Sequence, residues 1–556
     1  MSTQPREQWS TRAGFLFAAI GSAVGLGNIW RFPAVAYEAG GGAFLLPYLI
    51  ALLTAGIPLL ILEYTIGRRY RASAPGSFRR MWRPAEALGW WQVAICFVIA
   101  AYYAVILAWA VRYVGFSVNL SWGDDPDGYF FNDFLRVGDE PGAITSFVPG
   151  VAWTLLAVWL VTLVVLWLGV RRGIEWCNRI FIPLLIVFFL VLVARALTLE
   201  GALDGLDAFF RPDWSALTDS SVWIAAYGQI FFSLSVGFGV MITYASYLKR
   251  KVDLSGSALA VSFSNCSFEL LAGIGVFAVL GFMAAQSGVP VDEVVSEGIG
   301  LAFVAFPQIV SQMPAGAFFG VLFFASLVAA GLTSLISIVQ VIVSAVQEHT
   351  GISRTRAVLI IGGALAVTST GLFATDGGLY LLDAADHFIN SYGVTLAALA
   401  VLIIVSWYLR KLPQQQAEAD SSSSVRLGVW WRLCLGVITP AVLGWMMVDS
   451  LIGEFQENYG DFPTSFLLWA GWGVAAGALL VGVVMSLLPW RRDDPHAPEN
   501  EPVPATAAGG AAGATGATPP GTGARPVEPG TTGAPPAPGP GREPGADDDG
   551  TTEGSR

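Results

Sequence analysis

Gly21-Ser-Ala-Val-Gly-Leu-Gly-Asn-Ile-Trp-Arg31 lies inside a hydrophobic stretch long enough to cross a bilayer. Three glycines, an asparagine and an arginine are poor material for a plain lipid-facing helix. Each glycine costs about 1 kcal/mol of helix propensity. A charge at bilayer depth costs at least about 2.5–3.5 kcal/mol unless it faces protein or water. Irregular backbone survives at that depth only where it lines a cavity or is buried in protein. The stretch therefore reads as an interrupted helix whose bare main chain is used for binding.

The rest of the chain fits a membrane setting. Of 556 residues, 54% are hydrophobic and only 13% charged, against about 25% charged in soluble domains. Apolar runs of about 20 residues or more predict about twelve spans. They lie near 11–36, 41–67, 88–118, 147–169, 173–196, 222–249, 256–287, 315–348, 354–375, 379–410, 427–452 and 463–489. Loop charge alternates without a break. Arg68, Arg69, Arg71, Arg79, Arg80 and Arg83 follow span two; Arg171 and Arg172 follow span four; Lys249, Arg250 and Lys251 follow span six. Arg354 and Arg356, Arg410 and Lys411, and Arg491 and Arg492 continue the series after spans eight, ten and twelve. The intervening loops are acidic, with Asp124, Asp125, Asp127 and Asp133, then Asp204, Asp207, Asp213 and Asp219, then Asp292, Glu293 and Glu297. Positive charge favours the cytoplasmic side, so both termini are expected there. Residues 1–10 form a short polar segment without the basic region or cleavage site of a secretory signal.

Composition excludes several functions. Net charge is −11, of which −7 falls on residues 493–556. That Pro/Gly/Ala/Thr-rich stretch lacks apolar periodicity, and residues 491–556 are expected to be a disordered cytoplasmic tail. No basic surface suits nucleic acid. Cys96, Cys177, Cys266 and Cys434 all fall in apolar segments, so no disulfide framework is implied. The three histidines, His349, His387 and His496, lack zinc spacing. There is no phosphate-binding loop and no nucleophile–base motif. A membrane enzyme would need paired intramembrane carboxylates or a metal cluster, and neither is read here.

Val24-Gly-Leu-Gly27 is echoed by Val236-Gly-Phe-Gly239, five spans later. An odd separation gives the parent halves opposite orientation, and matching interruptions in two halves point to a midplane binding site. Further motifs are Arg6-Glu-Gln-Trp9, Trp30-Arg-Phe-Pro33, Gly40-Gly-Gly-Ala-Phe44, Pro58-Leu-Leu-Ile-Leu-Glu63 and Ala101-Tyr-Tyr103. Others are Gln229-Ile-Phe-Phe-Ser-Leu-Ser-Val-Gly-Phe-Gly239, Ile242-Thr-Tyr-Ala-Ser-Tyr247 and Ala330-Gly-Leu-Thr-Ser334. Together they resemble the neurotransmitter:sodium symporter family, bacterial amino-acid branch. The resemblance implies an all-α polytopic membrane protein with two inverted repeats of about five helices each, spans one and six being broken. Residues 11–410 would be the transport core and 411–490 the last two spans.

The same resemblance implies a site. The carboxylate of an amino acid would be held by the amides of Leu26 and Gly27 and the hydroxyl of Tyr103. Its ammonium would be held by carbonyls of Ala23, Phe232 and Ser233 and the hydroxyl of Ser235. Ile99, Tyr103, Phe232, Phe238, Ser334 and Ile338 would enclose the side chain. Sodium, a hard cation, wants oxygen ligands. One ion would use Ala23, Asn28, Ser233 and Asn265; a second, Gly21, Val24, Ala330, Thr333 and Ser334. Family members that carry monoamines have Asp where this chain has Gly25. Glu269 stands where chloride-dependent relatives have Ser, and would replace chloride and exchange a proton. Arg31 and Asp386 would form the outer gate. Arg6 and Glu348, with Trp9, Tyr247 and Gln340, would form the inner gate. The expected function is sodium-coupled import of a neutral hydrophobic amino acid by alternating access, chloride-independent, in a bacterial inner membrane. The alternatives are a sodium symporter for another small solute, such as a compatible solute or amine, and a non-transporting substrate sensor. Oligomeric state is left open.

Overall fold

The computed structural model describes residues 7–295 and 298–490. Arg6, Glu297, Arg491, Arg492 and the predicted tail lie outside them. The chain divides into two units, 1–498 and 499–556, and every described helix belongs to the first. Among the described residues the secondary structure is helical, with isolated bridges only at Gly41–Pro212 and Phe147–Thr375.

Among the described residues, ten continuous helices are long and apolar enough to cross a membrane. The first span is instead two helices, α1 (Arg12–Ala23) and α2 (Gly27–Glu38), bent by 56°. Then come α3 (Gly42–Tyr70), α4 (Arg83–Asn119), α5 (Pro149–Trp167) and α6 (Val170–Ala196). The stretch predicted as the sixth span is not one bilayer-length helix but two short ones, α7 (Ser220–Ser233) and α8 (Val240–Ala245). The remainder are α9 (Leu254–Ser287), α10 (Gly316–Thr350), α11 (Arg354–Phe373), α12 (Gly378–Tyr408), α13 (Val429–Asp461) and α14 (Thr464–Leu487). The apolar runs thus land on the helices they predicted, with ends shifted by a few residues. The main extension is in α13, which runs past its apolar stretch, helical to Gln456 and then, after an extended Glu457, ending in a short 3-10 turn at Tyr459–Asp461.

Local chemistry sets the boundaries. The Thr11 hydroxyl accepts the Gly14 amide at 3.0 Å and opens α1; Asp219, Asp253 and Ser353 cap α7, α9 and α11 in the same way. Gly288 and Gly351, both left-handed, close α9 and α10. Between α7 and α8 the chain is left-handed at Ser235 (φ 53°), Gly237 (φ 95°) and Gly239 (φ 83°). Two of these three are glycine, which adopts that region without steric cost.

Burial separates two groups of helices. The apolar stretches of α3, α4, α9 and α10 are mostly inside, whereas only a third of those of α6, α11, α13 and α14 is. The outer helices present large apolar side chains such as Trp153, Leu160, Val367 and Leu480 at the surface. In water this would be a liability; in hydrocarbon it is the required surface. The broken helices lie in the middle: α1 packs on α6, α9 and α10, and α8 packs on α3 and α10.

Candidate functional site

The two interruptions face each other. The Ser235 hydroxyl, at the turn out of α7, donates to the Ser22 carbonyl of α1 at 2.8 Å. Ser334 of α10 reaches the same carbonyl at 3.4 Å. The Leu26 amide donates to the Tyr103 hydroxyl at 3.3 Å, and the Gly25 amide to Oδ1 of Asn28 at 2.9 Å. A cavity opens between them. Its walls include Ala23, Gly25, Leu26, Gly27, Asn28, Ile99, Tyr103, Phe232, Ser235, Phe238, Ser334 and Ile338. The lining combines bare backbone and hydroxyls with aliphatic and aromatic side chains. Glycine is needed here for approach. A Cβ on Gly27 would stand 2.2 Å from Cε1 of Phe232, and one on Gly25 would stand 3.2 Å from the Tyr103 hydroxyl.

Beside the cavity runs a buried polar chain. Asn28 Nδ2 donates to Asn265 Oδ1 at 2.9 Å, and Asn265 Nδ2 donates to the Ser233 hydroxyl at 3.1 Å. Glu269 lies one turn beyond Asn265. It accepts from Gln229 at 2.6 Å, from the Tyr48 hydroxyl, and from Asn265 at 3.4 Å. Ala330, Thr333 and Ser334 lie on one face of α10 by their spacing, and Ser334 reaches α1 at Ser22. Thr333 donates to the Ala330 carbonyl at 2.9 Å within its own helix. Gly21 is closed off by α6, since a Cβ there would meet Asn178 Oδ1 at 2.1 Å.

The cavity leads on one side to a vestibule of about 650 Å³ bordered by Arg31, Tyr103, Phe232, Asp386 and His387. Arg31 and Asp386 share this space without an ion pair. The Arg31 guanidinium lies over the Phe232 ring at 4.8 Å, and Asp386 accepts from Asn390 at 2.8 Å. The opposite side is plugged. Trp9 is 3% exposed, donates from Nε1 to the Tyr244 carbonyl at 2.9 Å and packs edge-on against Tyr247. Gln340 donates to the Tyr247 hydroxyl at 2.8 Å. Glu348 accepts the Ser73 amide at 2.6 Å and stands 3.8 Å from Arg80. Its expected partner Arg6 lies outside the described residues.

Sequence reasoning missed four contributors. Glu63 of α3 accepts the Gly237 amide at 2.8 Å. Gln92 and Cys96 of α4 donate to the Gly237 and Phe238 carbonyls at 2.9 and 3.2 Å. These three side chains hold the unwound strand between α7 and α8. A carboxylate inside an apolar span was the available signal for Glu63. On the plugged side Arg354, read only as an orientation charge, joins Glu7 at 2.8 Å and Gln340 at 2.8 Å. Outside the membrane, Asp376 sits in the loop between α11 and α12. Burial pushes its carboxyl up, but hydrogen bonds from Thr145, Ser146 and the backbone prevail and hold it at about 2.

Residues 6–130 and 123–492 match the model of the Sodium:neurotransmitter symporter family. The chain belongs to this family. An uncharacterized sodium-dependent transporter of Methanocaldococcus jannaschii is 42% identical over 86% of this chain and 96% of its own. The sodium-dependent dopamine transporter of Bos taurus is 30% identical over 86% of this chain and 74% of its own. The human sodium- and chloride-dependent neutral and basic amino acid transporter B(0+) is also 30% identical, over 86% of this chain and 84% of its own. The crystal structure of MhsT in complex with L-phenylalanine superposes with TM-score 0.69 at 32% identity, covering 80% of this chain and all of that one. The symporter is therefore a sodium-dependent membrane carrier and not an enzyme, and its two interrupted helices sit on a LeuT-like fold.

Proposed function

We propose that this symporter imports a neutral, hydrophobic amino acid, with sodium bound beside the substrate's carboxylate. One observation carries the reading: a single cavity is lined both by unwound main chain at residues 23–27 and by the apolar side chains of Ile99, Phe238 and Ile338. Main-chain donors near the start of α2 suit a carboxylate. Neutral oxygens on α1 and at the turn after α7 suit an ammonium. MhsT, a relative of known structure, was solved with L-phenylalanine, which fits such a lining. The dopamine-transporter relatives raise the amine alternative. An amine without a carboxylate needs a buried acid, and the break in α1 offers Gly25, with the Tyr103 hydroxyl 3.2 Å from where a side chain would begin. Asp386 is the acid that lines this cavity, and it also borders the vestibule.

Asn28, Ser233 and Asn265 supply neutral oxygens next to the carboxylate position, and amide groups can turn to present oxygen to a cation. A second ion would sit between α1 and α10 on Gly21, Val24, Ala330, Thr333 and Ser334. Glu269 supplies the negative charge that chloride provides elsewhere, and its protonation on the return step would export a proton. Positive loop charge supports a cytoplasmic position for the plugged side, and on that reading the vestibule faces outward. Arg31 and Asp386 close it over the substrate, while the Trp9, Tyr247, Gln340 and Glu348 cluster releases on the other side.

The test is uptake by proteoliposomes across a panel of amino acids and amines, with and without a sodium gradient and with chloride replaced. Leucine-like or phenylalanine-like substrates, strict sodium dependence and indifference to chloride are expected. Glu269→Ser should make uptake chloride-dependent. Equal binding in potassium-only buffer would sink the sodium reading, and uptake of an amine in preference to any amino acid would sink the substrate reading.

A further inference from the structure

At the outer end of α12, one residue past Asp386, His387 Nε2 lies 3.0 Å from Oε2 of Glu454 on α13. The other oxygen of Glu454 is buried beside the Tyr392 side chain, and the Glu454 side chain is 8% exposed against 26% for His387. The imidazole stacks on Tyr459 at 3.7 Å and 14°, and the Tyr459 hydroxyl returns to α12 by donating to Asp383 at 3.0 Å. A turn deeper, the Tyr392 hydroxyl donates to the Ser450 carbonyl at 3.1 Å. These contacts fasten α12 to α13 on the vestibule wall, where His387, Asp383, Asp386 and Tyr459 are all exposed to the same space. The ionisable groups around the imidazole are Asp383 and Asp386 on its own helix, Glu454, Tyr459 and Tyr392 on or against α13, and Arg31 across the vestibule.

We propose that His387 and Glu454 form a proton-responsive tie that holds the outer part of α12, and with it Asp386, away from Arg31. Imidazole is the side chain whose charge changes between about pH 5 and 8. Once charged, it attracts Glu454 more strongly and competes with Arg31 for Asp386. Both effects keep the vestibule open, so acid outside the cell slows closure. His387 and Glu454 are positioning residues, and the idea rests on the reading of Arg31 and Asp386 as the outer gate.

Sodium-driven uptake is measured between about pH 5 and 8 on the full chain, on His387→Asn and on Glu454→Gln. Wild-type uptake should fall about 5-fold on the acid side, the size of one ion pair partly shielded from solvent. Both variants should keep only the part of the acid fall that proton export through Glu269 produces, and so fall at least about 2-fold less than the wild type. A second readout introduces Ile224→Cys on the vestibule wall and follows its reaction with an impermeant thiol reagent; the four native cysteines are buried. Acid should raise its accessibility with His387 present and leave it level with His387→Asn, the thiol's own titration being common to both. An acid limb unchanged in His387→Asn, or equal accessibility in the two backgrounds, overturns the tie. Failure of the gate reading looks different: Arg31→Gln and Asp386→Asn would then transport normally whatever His387 does.

Discussion

Gly27 is where one atom decides how much room the proposed substrate cavity has. Its missing Cβ is the space that Phe232 fills, 2.2 Å from where the atom would stand. In Gly27→Ala the ring should swing into the open cavity, and packing a substrate against the displaced ring should cost about 1–3 kcal/mol, lowering sodium-dependent substrate affinity about 10-fold or more with little change in melting temperature. Equilibrium binding and a thermal unfolding scan separate the two; unaltered affinity would contradict the geometry. Asp376 is its counterpart in the loops. Because its carboxyl is held near 2, below the ordinary carboxylate value of about 3.9, its stabilisation is present above pH ~4 and fades as pH falls through ~2. Asp376→Asn should cost about 1–2 kcal/mol at neutral pH, and its deficit relative to wild type should shrink as the unfolding buffer approaches pH ~3. At this scale the sequence was legible where chemistry is local: the glycines, Asn28 and Glu269 announce themselves by being out of place in an apolar run. It was silent where the partner is far along the chain. Nothing near Gln92 or Cys96 says that they serve the backbone of residues 237 and 238.

Among elements, the unwound strand between α7 and α8 depends on neighbours for its shape. Its Gly237 amide has Glu63 as acceptor. Glu63→Ala leaves that buried donor unpaired, which costs about 1–3 kcal/mol, whereas Glu63→Gln keeps an acceptor oxygen. The Ala variant should lose thermal stability and substrate affinity together, and the Gln variant should stay near wild type. Equal losses in both would show that charge rather than the hydrogen bond is what α3 contributes. The long helices were readable because apolar runs of bilayer length have few other uses. The short helices Ala74–Met81, Ala202–Phe210, Gly298–Gln312 and Leu412–Asp420 were not. Each is too brief for a periodic signal and is ordered by tertiary contact, as most short helices are.

For the molecule as a whole, the last described turn is fastened rather than frayed. Trp490 Nε1 donates to Glu86 at 2.6 Å, and its ring meets His349 at 5.1 Å and the Arg79 guanidinium at 5.2 Å. A chain ending after residue 492 should therefore transport and melt like the full one. One ending after residue 488 should be less stable by about 1 kcal/mol. If both truncations behave alike, Trp490 contributes nothing measurable. Sequence composition marked the place where the apolar spans end; the aromatic anchor just before it was not readable, because its partners come from α4, α10 and the helix Ala74–Met81.

The Arg31 guanidinium rests on the ring of Phe232, and such an aromatic seat is worth only about 0.5–1 kcal/mol at an exposed site. A cation parked on a soft, undemanding surface can be handed to a carboxylate without first being stripped of a full hydration shell. On the outer-gate reading proposed above, sealing the entrance is an exchange of one companion for another, which would keep the crossing low in both directions and let the same residue serve as latch and hinge-stop.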